Sequence, residues 1–349
     1  MGGVINIDGH KVGIGYPPFV VAEMSANHNG NIETALKTIT QAKICGADAI
    51  KLQTYTADTM TINCNRPDFQ INTGLWKGQT LYDLYQAAHT PFEWHKPIFD
   101  HARKIGITCF STPFDESAVD LLEDLNVCAY KIASFELTDL PLIKYVARTG
   151  KPIIASTGMA NYDEIEEAIS VIRECKNDNV ILLHCVSSYP TPIKSMNVRM
   201  LMKLKKDFGV LVGLSDHSLG TIAAVSAASL GACFIEKHFI LDRSMGGADS
   251  SFSIEPNELK LLCKDIRLSW ESLGDINYQV NEVERDNLCY RRSLYAVDDI
   301  KKGEKIRCGQ IRRIRPGFGL EPKHLEKVLS MVARKDIEIG EAITWDILK

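Results

Sequence analysis

The sequence predicts an α/β protein: a closed (β/α)8 barrel followed by a small, turn-rich second unit. Three observations carry this expectation. Short β-branched runs alternate eight times with longer amphipathic stretches through about residue 270, the count of a (β/α)8 barrel. Gly46, Gly106, Gly150 and Gly231 fall where a helix should stop before the next strand. Around Gly274–Arg285 the rhythm turns polar and irregular, as a linker would. A doubly wound dinucleotide-binding sheet is the structural alternative, weakened by the lack of GxGxxG after the first strand.

In chain order, strands are expected at Phe19–Met24, Ala49–Gln53, Ile107–Ser111, Ala129–Ala133, Pro152–Ser156, Val180–Cys185, Val210–Leu214 and Phe234–Phe239. A helix over Glu33–Cys45 starts after Asn29-Gly30, and another over Tyr162–Glu174 is capped by Asn161. Thr56–Thr90 is too long for a simple connection and contains Trp76, Leu81-Tyr82 and Leu84-Tyr85. Insertions after barrel strands lie on the catalytic face, so this one reads as a substrate-site loop. After the linker, Asp299–Glu304 and Asp336–Glu341 repeat the phrase D-I-x-x-G-E, which points to small β-rich turns.

Composition excludes several classes. The chain of 349 residues is 45% apolar and 24% charged, ordinary for a globular protein and unlike disordered, collagenous or disulfide-stapled chains. The net charge of −4 gives no electrostatic case for nucleic acid. From Leu288 onward, however, 14 Lys and Arg face 9 Asp and Glu, so a basic tail follows an acidic body. Such a tail suits the covering of an anionic ligand, although a chance surface asymmetry reads equally well. The ten cysteines form no CxxC pair and sit mostly in apolar runs, which fits a reducing cytoplasmic interior. The N-terminus lacks a basic flank and apolar core, so it is not a secretory signal. The longest mostly apolar stretch, Ile222–Ile235, is too short to span a membrane.

The expected strand ends are polar beyond what packing needs: Glu23; Lys51 and Gln53; Ser111-Thr112; Lys131 and Ser134; Ser156-Thr157; Ser187; Ser215-Asp216-His217; and Glu236 with His238. In a barrel these ends carry the chemistry. His217 and His238 end adjacent strands and can meet at the barrel mouth. Two imidazoles with waters, and with Glu23 as a further candidate, suit an octahedral ion such as Mn²⁺, Co²⁺ or Mg²⁺. Either histidine alone is more often structural, and His184 reads that way. Lys51 and Lys131 fit a Schiff-base aldolase or, with the hydroxyls, the binding of a phosphate-carboxylate; the hydroxyls and the histidine pair favour the anion.

The segments VVAEMSANHNG, GADAIKLQTY, CFSTPFD, YKIASFE, STGMA, LLHCVSSYPTP, GLSDHSLG and IEKHF resemble, in order and spacing, the sialic acid synthase family over almost the whole chain. RRIRPGFGL and IEIGEAITWDIL resemble the antifreeze-like (SAF) domain of those synthases. The resemblance implies a TIM-barrel synthase domain over residues 1–280 and an antifreeze-like domain over residues 288–349. WKGQTLYDLYQAAHTPFEWH and LDRSMGGADSSFSIEP look most like the pseudaminic acid branch, with the N-acetylneuraminate and legionaminic acid branches as alternatives. Family enzymes condense phosphoenolpyruvate (PEP) with an acetamido sugar, and the resemblance to the pseudaminic branch implies 2,4-diacetamido-2,4,6-trideoxy-altrose. By resemblance His217 and His238 hold the metal, Mn²⁺ with Co²⁺ or Mg²⁺ as substitutes. Lys51, Lys131, Ser134, Ser156, Ser187 and Ser215 contact PEP, whereas Gln53, Glu136, Tyr189 and Asp249 contact the sugar. Glu23 is the implied acid/base. Arg315 is implied to reach the partner's sugar site in a domain-swapped homodimer. One departure stands out, because sialic acid synthases usually show Asn where this chain has Ser187. The readings outside the family are the Schiff-base aldolase, which would need no metal, and a non-catalytic carbohydrate- or ice-binding protein, which would not need the polar strand ends.

Overall fold

The computed structural model describes residues 3–349. They fall into two compact units, one ending at Gly274 and one spanning Asp275–Lys349. The chain opens with an antiparallel hairpin, β1 (Val4–Ile7) and β2 (His10–Gly13). Asp8 and Gly9 form its two-residue turn with φ of 51° and 85°, the positive values that a tight hairpin requires. The hairpin was absent from the sequence expectation. It sits at the N-terminal end of the barrel strands, where Asp8 Oδ2 accepts from Thr108 Oγ1 at 3.0 Å and His10 packs edge-on against Phe19.

Eight strands follow: β3 (Phe19–Glu23), β4 (Ala49–Thr54), β5 (Thr108–Pro113), β6 (Tyr130–Ile132), β7 (Ile153–Ser156), β8 (Val180–Cys185), β9 (Leu211–Asp216) and β10 (Phe234–His238). All are parallel, and they close as a barrel with β10 hydrogen-bonded to both β9 and β3. Every predicted strand forms, with ends displaced by no more than two residues. The two-residue displacements are at β5, which runs on to Pro113, and at β9, which runs on to Asp216 because Ser215 and Asp216 stay in the ladder opposite Glu236 and Lys237. Ser187, expected at a strand end, lies just beyond β8.

The helices are α1 (Ile32–Cys45), α2 (Ala57–Met60), α3 (Leu81–Ala88), α4 (Phe92–Ile105), α5 (Glu116–Asp124), α6 (Leu140–Ala147), α7 (Tyr162–Glu174), α8 (Met200–Phe208), α9 (Ile222–Ser229) and α10 (Pro256–Leu273). All but α2 and α3, which belong to the insertion, follow the barrel strands in turn. Asn31, directly after Asn29-Gly30, caps α1, its Oδ1 accepting from the Thr34 amide at 3.0 Å. Asn161 caps α7 as expected, in a reciprocal box with Glu164. The barrel's core is the apolar face of these helices packed on buried strand residues such as Val20, Ile50, Phe110, Ile154, Leu182 and Phe234.

The second unit has its own core, including Leu294, Ile300, Ile306, Val328, Ile337 and Ile343. It contains β11 (Ser293–Ala296) paired antiparallel with β12 (Ile311–Ile314), and the short α11 (Leu325–Leu329). The two D-I-x-x-G-E phrases face each other in near symmetry. Ile300 and Ile337 exchange both backbone hydrogen bonds at 2.9 Å. Asp336 Oδ1 accepts from the Lys302 amide at 2.8 Å, and Asp299 Oδ1 from the Ile339 amide at 2.9 Å. At the start of this unit, Ile276 and Tyr278 are fully exposed, as a linker's side chains are.

Candidate active site

Alternation along a strand turns every second residue into the barrel. At the C-terminal ends this brings Glu23, Lys51, Lys131, Ser215 and Glu236 into one buried cluster. Lys51 Nζ lies 2.7 Å from Glu23 Oε2, donates to Thr112 Oγ1 at 3.0 Å, and stands 3.7 Å from Glu236 Oε1. Lys131 Nζ donates to Ser156 Oγ at 2.7 Å and approaches the same Glu236 oxygen to 3.6 Å. Ser215 Oγ donates to Glu236 Oε1 at 3.3 Å. Glu236, noted in the sequence only as a polar strand end beside His238, therefore lies between the two lysines.

Burial sets the proton affinities here. It raises Glu23 to about 7, against the pull of Lys51. Burial also opposes the charge on Glu236, but Lys131 and Lys51 together hold that carboxyl below its usual range. Lys131 is pulled down, mainly by burial and partly offset by Glu236. Lys51 resists the same desolvation through Glu23 and Glu236 and moves up.

Ser134 and Ser187 gather on a neighbouring side. Ser134 Oγ donates to Cys185 Sγ at 3.3 Å, and Ser187 Oγ lies 3.9 Å from the same sulfur. Gly158 makes their approach possible: a Cβ there would fall 2.4 Å from Ser134 Cβ and 3.0 Å from Ser187 Oγ, at a φ of +44°. All six predicted PEP residues thus line one end of the barrel. Cys185, which the sequence left among the unremarkable thiols, also lies 3.8 Å from His217 Nδ1.

His217 and His238 do meet, with ring centroids 5.4 Å apart. His217 Nδ1 is 3.0 Å from the Val186 carbonyl, which it meets as a donor, leaving Nε2 for a ligand. His238 Nδ1 is buried without a hydrogen-bond partner and stands 3.7 Å from Asp249 Oδ2. Burial, with His217 nearby, keeps the His238 ring well below the usual imidazole value and therefore neutral, the form that binds metal. Among the described residues no group of three or more His, Cys, Asp or Glu is set to hold an ion. Burial opposes the charge on His217, but Cys185 and the Val186 carbonyl raise that ring; with the neutral His238 and its partnerless nitrogen, the pair nevertheless fits a divalent ion that displaces the His217 proton and completes its shell with water and substrate.

Beside the histidines lies a cavity of about 340 Å³. Gln53, Glu136, Tyr189 and Asp249, the four barrel residues expected to touch a sugar, all line it, as does His238. Gln53 Nε2 donates to Glu23 Oε1 at 3.2 Å, linking cavity to lysine cluster. Glu136 Oε2 is buried with no partner, and burial raises that carboxyl to about 7. The insertion supplies the opposite wall through Trp76, Leu84 and Tyr85, joined by Tyr55 and Phe114. Trp76 Nε1 donates to the Ala248 carbonyl at 3.1 Å, tying the insertion to the loop after β10. Arg315 lies in the second unit, exposed and immediately after β12. His184, buried with Nε2 2.6 Å from the Met196 carbonyl, is structural as expected.

A closed (β/α)8 barrel with two buried lysines, a histidine pair and a largely apolar cavity at its C-terminal mouth has the build of a barrel enzyme. Its lineage is specific. The NeuB family model matches residues 38–278 and the SAF domain model residues 291–349. This chain belongs to the NeuB family and ends in a SAF domain. It is 46% identical over 325 residues to the pseudaminic acid synthase of Campylobacter jejuni strain 81-176, covering 93% of this chain and 95% of that protein. It is 39% identical over 330 residues to the N,N'-diacetyllegionaminic acid synthase of C. jejuni strain NCTC 11168, covering 93% and 98%. The crystal structure of N-acetylneuraminic acid synthetase from Leptospira borgpetersenii, in complex with citrate, superposes with a TM-score of 0.75 at 31% identity, covering 83% of this chain and 97% of that one.

Proposed function

We propose that this chain is a pseudaminic acid synthase, joining PEP to 2,4-diacetamido-2,4,6-trideoxy-altrose with water to give pseudaminic acid and inorganic phosphate. The observation that carries the reading is the pair of buried ammonium groups, Lys51 and Lys131, flanking Glu236 at 3.7 and 3.6 Å. The 46% identity to a pseudaminic acid synthase, above the 39% to a legionaminic acid synthase, supports the choice of branch.

In this reaction C3 of PEP bonds to the aldehyde carbon of the sugar. Water adds to C2, the bond from C2 to the phosphate oxygen breaks, and phosphate leaves. Lys51 and Lys131, with Ser134, Ser156, Ser187 and Ser215, bind and orient the phosphate and carboxylate of PEP as charge-assisted donors. A bound anion adds negative charge beside Glu23 and raises its proton affinity further. Glu23, its proton affinity raised in this way, can pass a proton to the sugar oxygen that becomes a hydroxyl. His217 and His238 would hold a divalent ion, Mn²⁺ first and Co²⁺ or Mg²⁺ next, which supplies polarisation of the sugar carbonyl. Gln53, Glu136, Tyr189 and Asp249 take the sugar's polar groups, and the wall of Tyr55, Trp76, Tyr85 and Phe114 suits its 6-methyl.

The proposal includes a homodimer in which Arg315 of each chain serves the partner's sugar site, supported by its exposed position in the family-like RPGFG turn. It places the enzyme in the cytoplasm. Ten free cysteines support that location, and among the described residues no helix is long and apolar enough to cross a membrane. One feature favours a second reading: burial lowers the Lys131 ammonium, the direction a Schiff-base lysine needs. Phosphate release from PEP with a panel of acetamido sugars, with and without EDTA, tests the first reading, and borohydride trapping on Lys131 tests the second.

A further inference from the structure

We infer that Asp216 and Lys237, on the outer face of the barrel wall, are positioning residues that hold His217 and His238 at the spacing a metal ion requires. The inference rests on the reading of those histidines as metal ligands. Asp216 and Lys237 are register partners across β9 and β10. Their inward neighbours are Ser215 and Glu236, so their own side chains turn away from the lumen. Both are buried to 1% exposure.

Lys237 Nζ lies 2.8 Å from Asp216 Oδ2 and donates to the Ser218 carbonyl at 2.5 Å. Asp216 Oδ1 accepts from the Ser218 amide at 2.9 Å and from Ser218 Oγ at 2.6 Å. The residues on either side of His217 are thus both tied to the residue that precedes His238. This matters because the β9–β10 ladder ends at this pair. His217 has left the strand, and its carbonyl accepts instead from the Thr191 amide at 2.9 Å, toward β8. No backbone ladder therefore fixes His217 relative to His238, and the ion pair takes that place.

Stability does not explain the pair. Two charges removed from water regain little beyond what well-packed apolar side chains would supply. Neither side chain lines the cavity or touches the lysine cluster, so direct contact with substrate does not explain it either. What the pair supplies is a fixed geometry for the two rings.

The test uses the full chain, stripped of metal with EDTA, and the paired variant Asp216→Asn/Lys237→Met. The variant keeps an acceptor for Ser218 and leaves no lone buried charge. Mn²⁺ alone is titrated calorimetrically, and PEP binding is measured separately without metal. Mn²⁺ affinity should fall about 10- to 100-fold, the usual effect of losing a ligand's outer support. Metal-free PEP affinity should stay within about twofold, and turnover should recover at saturating Mn²⁺, because only the ion's site is loosened. Mn²⁺ affinity equal to wild type in a folded variant, or equal losses for Mn²⁺ and PEP, overturns the inference. Should the paired variant not fold, Ser218→Ala removes one bond to Asp216 and should still weaken Mn²⁺ but not PEP; unchanged Mn²⁺ binding there overturns it as well. His217→Ala separates the two levels: Mn²⁺ binding that survives it overturns the metal reading itself.

Discussion

Glu23→Gln should change how stability depends on pH as well as turnover. The Glu23 carboxyl is fully enclosed, and burial raises it from 4.5 to about 7. Two and a half pH units at roughly 1.4 kcal/mol each amount to about 3 kcal/mol. The sign follows from proton binding. Between pH 4.5 and 7 the folded protein keeps a proton that the unfolded chain has released, so this residue's contribution to stability falls as pH rises through that window. Gln has no proton to lose. The variant's unfolding free energy relative to wild type should therefore improve by about 3 kcal/mol between pH 4.5 and pH 8. The attraction of Lys51 for the ionised carboxylate is already contained in that value of about 7, so it adds no separate pH dependence. Urea unfolding of the EDTA-treated proteins at the two pH values measures the difference, and equal offsets at both would refute the burial argument. The same variant should bind PEP yet lose about 10²- to 10⁴-fold in turnover. A loss of only a few-fold would reduce Glu23 to a structural partner of Lys51.

Three further outcomes follow from the site. Gly158→Ala should raise the Michaelis constant for PEP by at least about tenfold, since the new methyl collides with Ser134 in a left-handed backbone; unchanged PEP kinetics would remove Ser134 and Ser187 from the anion site. Trp76→Phe deletes the hydrogen bond to Ala248 and should raise the Michaelis constant for the sugar but not for PEP, as steady-state kinetics with each substrate varied will show. Mixing Arg315→Ala chains with Glu23→Gln chains should restore activity, because a shared-site dimer regains one intact site; no recovery despite subunit exchange would mean each SAF domain serves its own barrel.

Much of the fold was legible because barrel strands are buried on both faces and read as short apolar, β-branched runs such as VILLHC and AIKLQT. The polar strand ends marked the catalytic face for the same reason: Lys51, Lys131 and Glu236 have no place in a packed wall. The first hairpin was missed although its Asp8-Gly9 turn, flanked by alternating apolar residues, is a strong local signal. Other features have no local signal at all. That both lysines converge on Glu236, that Gly158 makes room for Ser134, and that Asp216 meets Lys237 behind the histidines all depend on closing the barrel between residues tens to over a hundred positions apart. The reach of the insertion across the cavity, through Trp76 to Ala248, is likewise a product of tertiary packing between residues 172 positions apart.

The most direct test of the account is product formation by the purified chain with PEP and Mn²⁺, offered 2,4-diacetamido-2,4,6-trideoxy-altrose or N-acetylmannosamine and followed by phosphate release and mass spectrometry. The account predicts pseudaminic acid and phosphate in equal amounts, with EDTA abolishing both. It predicts at least about 10²-fold higher kcat/KM for the diacetamido sugar, because a 4-hydroxyl leaves polar groups of the cavity unpaired. Equal or greater kcat/KM with N-acetylmannosamine, or undiminished turnover after exhaustive chelation, would contradict it.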